Sequence, residues 1–362
     1  MSILLEVNGQ QYTQFESANV NIRLDVLTNT FEFSATSDNG NPLPFKGGEE
    51  CKITIQDQQV LTGFIEVVNV SYSATSHNIK LIGRDKTADL LDSTLDAFSD
   101  LVAPITLKQI IERVISELNL NIEVIDETNS EPFNEAEDII APEPGQNAFE
   151  FIEIYSRKRH VLLTSNGKGD VVITDSSGVF IDAPIRHRLN TNENNVISAD
   201  VSYDTTGRFN LYKFASSLNP IALNVSGETE LDNVVNQKGQ EIDSEIRIGR
   251  QLILISENPY SDSQNIDRAI WEANIRKARG RLYRVQLNGF VTPSGNIWDI
   301  NKIVSVVDDF ADINAKMLIN AVNFNFDLSI GSQTNIELVD QNAYTLTLNE
   351  PRTENLGSNL FG

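Results

Sequence analysis

The sequence predicts a mainly β protein with α+β character: two similar antiparallel β-barrel domains with an α/β domain between them. Three observations carry this expectation. Apolar residues alternate with polar ones near both ends of the 362-residue chain, an amphipathic helical pattern sits in the middle, and the two β-rich ends resemble each other. A 40% hydrophobic fraction is enough to fill real cores, and the length fits two to four domains.

The first segment reads as antiparallel strands. Val20, Ile22, Leu24 and Val26 alternate with Asn21, Arg23 and Asp25, and Phe31, Phe33 and Ala35 repeat the pattern after a Thr28–Thr30 break. Lys52–Ile55, Val60–Tyr72 and Asn78–Ile82 follow, with turns at 57–59 and 74–76. About six strands in this stretch suit a small barrel or sandwich. Beyond Leu95, Thr106 and Gln109 make a capping box ahead of Leu107, Ile110, Ile111, Val114, Ile115 and Leu118 at helical spacing. An acidic, Pro-containing stretch from Asp126 to Pro144 reads as a long loop. A second helix over Gln146–Arg159 is expected to bury Phe149, Ile152 and Tyr155. Asn166-Gly167-Lys168-Gly169 then joins two apolar runs as a hairpin tip.

From Asn195 the β pattern returns in Val196–Tyr203 and Phe209–Ala215. Residues 216–262 are polar and carry no assignable pattern. A helix over Asn265–Arg279 places Ile266, Ile270, Ala273 and Ala278 on one side, and strands follow at Leu282–Phe290, Lys302–Val307, Ala315–Phe326 and Thr334–Val339. The ends align as Lys52-Ile53 with Lys302-Ile303, Ile65–Tyr72 with Ile319–Phe326, and Asn78–Ile82 with Asn335–Val339. The expected division is a first β-barrel domain at 1–95, an α/β domain at 96–185, a second β-barrel domain at 186–345 with room for an insertion at about 208–262, and a mobile tail at 346–362.

Charge and composition exclude several functions. A net charge of −23 repels phosphates and argues against sequence-specific nucleic-acid binding. No run approaches the roughly 20 apolar residues of a membrane-spanning helix, and the N-terminus lacks a signal-peptide pattern. The single cysteine, Cys51, excludes an intramolecular disulfide and a Cys-based zinc site. His77 sits in a predicted turn, His160 at a helix end and His187 between Arg186 and Arg188. None has a second ligand at metal spacing, so no metal and no cofactor are expected. Gly83-Arg84-Asp85-Lys86-Thr87 lacks the first glycine and spacer of a phosphate loop. Asp308, Asp309 and Asp312, like Glu135, Glu137 and Asp138, read as solvated loop carboxylates. The basic run Arg276, Lys277, Arg279, Arg281 and Arg284 reads as a solvated helix face or a subunit or partner contact. No catalytic residue is assigned.

Taken in order, several motifs resemble the baseplate hub proteins of Mu-like contractile phages, within the tail protein D superfamily. They are Leu81-Ile82-Gly83-Arg84-Asp85-Lys86-Thr87-Ala88-Asp89-Leu90-Leu91-Asp92, Phe149-Glu150-Phe151-Ile152 through His160-Val161-Leu162-Leu163, Ala269-Ile270-Trp271-Glu272-Ala273 through Arg279-Gly280, Val285–Gly289, and Ile297-Trp298-Asp299-Ile300-Asn301. The resemblance implies a non-enzymatic homotrimer in which two barrels per subunit form a pseudo-sixfold ring. That ring would join the tail tube and baseplate wedge proteins to a central spike made by a separate chain, leaving a channel for DNA. It further implies a place in the virion's tail baseplate, assembly in the host cytoplasm, and no membrane insertion. An acidic channel lining would let DNA slide without specific binding. The alternative is a cell-wall-degrading or carbohydrate-binding tail protein acting during infection, which calls for a two-carboxylate cleft or clustered exposed aromatics.

Overall fold

The computed structural model describes residues 3–36, 43–73, 76–128, 130–134, 140–176, 178–189, 191–216, 237–256 and 262–345. The expected turn at 74–75, the carboxylates Glu135, Glu137 and Asp138, and the expected tail at 346–362 lie outside these residues. Two compact units are present. One comprises Met1–Ser202 with Leu282–Gln341, and the other Tyr203–Arg281 with Asn342–Gly362.

The larger unit begins with seven strands: β1 (Ile3–Val7), β2 (Gln10–Tyr12), β3 (Ser17–Arg23), β4 (Thr30–Thr36), β5 (Glu50–Ile55), β6 (Gln58–Tyr72) and β7 (His77–Asp85). Helices α1 (Ala88–Asp92) and α2 (Leu107–Glu117), strand β8 (Val124–Asp126), helix α3 (Ala148–Arg159) and strands β9 (Leu162–Ser165) and β10 (Val171–Thr174) form its helical part. Next come β11 (Val179–Phe180), β12 (Ile185–His187) and β13 (Val196–Tyr203). The smaller unit holds β14 (Leu211–Ser216), β15 (Gln237–Ile242), β16 (Gln251–Ser256) and α4 (Asp262–Gly280). The chain then returns through β17 (Arg281–Asn288), β18 (Lys302–Asp308), β19 (Ile313–Asp327) and β20 (Gly331–Asp340).

The mainly β expectation holds. One 14-stranded sheet follows the path β13-β17-β20-β19-β3-β4-β7-β6-β5-β1-β2, with β18 beside β19 and the short β11 and β12 parallel to β18. No ladder among the described residues joins β2 back to β13, so this path is open at both ends.

The internal likeness is real but differently registered. Two antiparallel meanders, β5-β6-β7 and β18-β19-β20, each have a 15-residue middle strand. Each middle strand carries a bulge at the same place, between Ile65 and Val67 in β6 and between Ile319 and Ala321 in β19. A bulge consumes one residue and re-aims the strand, so its position fixes the equivalence. It supports the sequence match of Ile65–Tyr72 with Ile319–Phe326. The flanking strands shift, however. Ile82 faces Val67 and Glu337 faces Ala321, so Ile82 is equivalent to Glu337 and not to Val339. Likewise Ile53 faces Leu61 and Val306 faces Ala315, which equates Ile53 with Val306 in place of Ile303. In the same frame β4 corresponds to β17, and β3 to β13. Six residues connect β3 to β4, whereas the strands β14–β16 and helix α4 of the smaller unit stand between β13 and β17.

The helical part forms as its pattern requires. The Thr106 hydroxyl accepts from the Gln109 N–H at 3.2 Å, while the Gln109 carboxamide accepts from the Thr106 N–H at 2.9 Å. Each N-terminal turn thus satisfies donors that have no intrahelical partner. Asn147 caps α3, and His160 ends it in the left-handed region at φ 55°. Phe151 is buried, where the spacing had put Phe149 inside; Phe149 is only partly covered. The stretch read as a long loop is more than a connector. Phe133 pairs with Ile105 and Ile140 with Leu101, and both Phe133 and Ile140 are buried in the α2–α3 core.

In the smaller unit, the segment without a sequence pattern supplies β15 and β16, antiparallel and parallel to β14 respectively. Helix α4 packs on this sheet through Ala269 and Ala273, which meet Tyr212 and Phe214. Ile270 and Ala278 are buried as expected, but Ile266 is 42% exposed. Gly239 lets the helix approach, since a Cβ there would come within 2.1 Å of the Asn265 carbonyl carbon.

Phe151 is 1% exposed and meets Phe98 and Tyr155 edge-on at 5.9 and 5.2 Å. Phe151→Ala is expected to cost about 3–5 kcal/mol, because it leaves a void and removes the edge-to-face partner of the two remaining rings, Phe98 and Tyr155. Urea unfolding of the variant, followed by circular dichroism, measures this.

Candidate assembly site

The sequence motif Gly83-Arg84-Asp85-Lys86-Thr87 is a structural joint where β7 delivers the chain to α1. A Cβ at Gly83 would lie 2.3 Å from the Phe31 ring and 2.2 Å from the Phe64 carbonyl, so only glycine fits. Arg84 reaches both Glu66 and Asp92, at 2.6 and 2.5 Å, tying the β6 bulge to the end of α1. Asp85 is wholly buried. It accepts the Asn29 N–H at 2.9 Å and the Thr87 N–H at 3.2 Å, and it also bonds the Ser165 hydroxyl. Asn29 donates to the same Ser165 hydroxyl at 2.8 Å. One buried carboxyl therefore links the β3–β4 connection, the joint and the β9 strand. No phosphate-cradling geometry is present.

The seam between the two β-rich ends is made by β3 and β19, which pair antiparallel over seven residues from Ser17–Asp327 to Arg23–Ala321. Ala18, Val20 and Ile22 face Phe326, Phe324 and Val322 on the core side. On the other side Asn19 donates to Asn323 at 3.0 Å and also bonds Asn325. That polar side continues across the sheet, and three of its cations are matched: Lys80 to Glu32, Arg23 to Asp25 and Glu337, and Arg284 to Glu337 and Asp200. The result is a broad surface of amides and paired charges.

The basic run is divided between the units. Arg276 pairs with Glu272 one turn back, and Lys277 and Arg281 converge on Glu245, at 3.3 and 2.6 Å. Buried Arg208 joins Glu245 and Asp243 at 2.6 Å each. Burial works against Glu245, yet Arg208, Arg281 and Lys277 hold its carboxyl below the ordinary range. Arg284 belongs to the larger unit, and Arg279 is exposed. Most of the run thus has carboxylates of its own chain as partners. Sequence reasoning missed Arg208, which directly precedes the expected Phe209–Ala215 strand, and Asp243 and Glu245, which fall where no pattern was assignable.

The other candidates resolve as structure. Asp308 was expected in a solvated loop but is 2% exposed. It accepts from the Tyr283 hydroxyl at 2.6 Å and from the N–H groups of Phe310 and Ala311 at 2.9 Å, with His187 at 3.1 Å. Burial opposes ionisation, but these bonds, led by Tyr283, hold the carboxyl below its ordinary range. His77 stacks on Tyr72. Trp271 and Trp298 are both buried. A cleft of about 340 Å³ is bordered by Glu127 and Asp299. Glu127 accepts from the Thr174 hydroxyl at 3.0 Å, and more-than-half-exposed Asp299 pairs with Lys302 at 3.7 Å. Among the described residues no cluster of His, Cys, Asp and Glu could hold a metal ion, and no helix is long and apolar enough to cross a membrane.

The described residues thus form a strand-built scaffold with two joined copies of one meander, in which many polar groups are spent on internal bonds. Three family models match in chain order: the N-terminal domain of the Mu phage baseplate assembly protein GpP-like family at residues 2–85, the second domain of baseplate hub protein gp44-like proteins at 87–175, and the fourth domain of Mu phage baseplate assembly protein GpP at 261–347. The chain belongs to this family of Mu-like phage baseplate hub proteins. It is 23% identical to baseplate hub protein gp44 of Escherichia phage Mu, over 100% of this chain and 93% of the relative. The 43 kDa tail protein of prophage MuSo2 from Shewanella oneidensis superposes with a TM-score of 0.77 at 25% identity, covering 94% of this chain and 99% of that one. A tail protein from Neisseria meningitidis shares the fold with a TM-score of 0.78 at 19% identity, covering 95% and 98%. An E. coli type VI secretion component, described as similar in structure to T4 tail proteins gp27 and gp5, shares it with a TM-score of 0.57 at 12% identity, covering 96% and 79%. The first two family matches meet at the joint, one ending at Asp85 and the next beginning at Thr87.

Burial pushes the Asp85 carboxyl up to about 6 despite its hydrogen bonds from Ser165, Thr87 and Asn29. Its folded value lies above that of the unfolded chain, so the unfolded state loses the proton first as pH rises. The stability this group contributes is full below about pH 4 and lost by about pH 6, a fall of up to about 3 kcal/mol. The stability of wild type relative to Asp85→Asn, from urea titrations at stepped pH, should therefore decline across that window.

Proposed function

We propose that this chain is the structural hub of a contractile-tail baseplate, working as a homotrimer whose six meander copies form a pseudo-sixfold ring. The observation that carries the proposal is the duplicated meander joined within one chain by the β3–β19 ladder. One chain that supplies two equivalent modules can meet a sixfold tube on one side and a threefold spike on the other. Membership of the hub family supports the same role. Its partners are the tail tube and baseplate wedge proteins and a central spike protein, and its location is the virion's tail baseplate after assembly in the host cytoplasm. The role is mechanical, with no catalytic step.

The polar side of the 14-stranded sheet suits the lining of a DNA channel. Phosphates are attracted by unpaired Lys and Arg, which release counterions on contact. Here Arg23, Lys80 and Arg284 each have a carboxylate partner, and Asn19, Asn323 and Asn325 bond among themselves. Such a lining repels DNA less than a purely acidic one and gives it nothing to hold. On this reading the channel is lined by paired charges, in place of the acidic lining expected from net charge.

Light scattering of the purified chain should give a mass near three times 40.3 kDa. A mass of one subunit at every concentration would overturn the ring. A lawn-clearing assay on bacterial cell walls should show no activity, and clearing would favour the cell-wall-degrading alternative.

A further inference from the structure

Two equivalent strands differ sharply in cover. In β19, Ala321 is 5% exposed and Phe324 1%. Their equivalents in β6, Val67 and Val70, are 41% and 42% exposed, and Tyr72 is 77% exposed. The cause is a missing neighbour. The far half of β19 pairs with β20 on one side and β3 on the other, whereas the far half of β6 has β7 on one side and no strand on the other among the described residues. The equivalent of β3 is β13, and it too has a vacant edge, being the end of the sheet path. Its Ile197 and Tyr203 are 52% and 62% exposed. Two unpaired edges with apolar side chains are an aggregation hazard unless they are covered.

We propose that the outer half of β6 in one subunit pairs antiparallel with β13 of the next, repeating between chains the β3–β19 seam made within each chain. The inference rests on the trimer reading above and deepens it. The register follows from the internal seam. Ser198 bonds Gln286 at 3.3 Å and Asp200 meets Arg284 at 3.6 Å, which sets β13 against β17 as β3 is set against β4. Transferring the β3–β19 ladder then brings Val68 opposite Tyr203, Val70 opposite Val201, and Tyr72 opposite Ala199. In the internal seam the same places hold Val322 and Ile22, Phe324 and Val20, and Phe326 and Ala18. All three apolar pairs recur, and the reverse face again pairs small polar residues, Asn69 with Ser202 and Ser71 with Asp200. The occupant is a second copy of this chain because its own β13 fits by the chemistry already used inside it. Each seam is heterologous, and a head-to-tail contact closes into a ring when its rotation permits.

Directly opposed residues of an antiparallel pair lie about 4.5–5.5 Å apart at Cα, within disulfide reach. Val70→Cys combined with Val201→Cys in the full chain should therefore give covalently linked trimer on mild oxidation. Native Cys51 is buried and adds little background. Val70→Cys with Ile197→Cys uses the same face four residues along, roughly 13 Å out of register, and should stay unlinked. A light-scattering trimer that fails to link through 70 and 201, or that links only within one chain, would overturn this seam and leave the trimer standing. A monomer by light scattering in both the wild type and the variants would overturn the trimer reading itself.

Discussion

The larger unit depends on one ladder, the antiparallel pairing of β3 with β19. It joins residues some 300 positions apart in the chain and makes two meanders into one sheet. Backbone groups of a strand edge must be paired or exposed, so the seam satisfies two edges at once. It also closes the apolar side, where Val20 and Phe324 are almost inaccessible. Without it each meander would present the open edge that β6 now presents.

Around that seam, polar groups hold the parts in place. Asp85, the Asn19–Asn323–Asn325 cluster, Asp308 and the Arg208–Glu245 network all spend their hydrogen bonds inside the chain. A catalytic site would instead leave a reactive group facing a cleft with its lone pairs free for substrate. Asp85 and Asp308 are engaged by hydroxyls and N–H groups, and Glu245 by the guanidinium groups of Arg208 and Arg281 and the Lys277 ammonium. This is the electrostatics of a rigid part, in which removing one partner leaves a buried charge uncompensated.

The duplication connects fold to assembly. A bulge at the same position marks β6 and β19 as equivalents, although Val322 and Phe324 beyond the bulge of β19 are buried while Val70 and Tyr72 beyond that of β6 are exposed. The two halves then differ only in what lies beside them. In one case that neighbour is in the same chain, and in the other no strand stands there among the described residues. The smaller unit, set between β13 and β17, lengthens a connection that takes six residues in the first copy, without altering the meander.

The sequence by itself determined the long strands of the two meanders, the capped α2 helix, the 166–169 hairpin and the likeness of the two ends, because these rest on local periodicity and turn chemistry. Strands β1, β2, β8, β11 and β12 carried no such signal. It also marked Gly83–Thr87 as unusual without saying why. Register was beyond it. Sliding a strand by two residues keeps the same face inside, so Asn78–Ile82 matched Asn335–Val339 as readily as the true equivalent. The sheet of the smaller unit was illegible too, since β15 reads Gln237-Lys238-Gly239-Gln240-Glu241-Ile242 and is a strand through its neighbours alone. Only the tertiary structure decided that β3 reaches β19, that Arg208 meets Glu245, and that most of the basic run is already paired, because these contacts join residues that local pattern cannot relate.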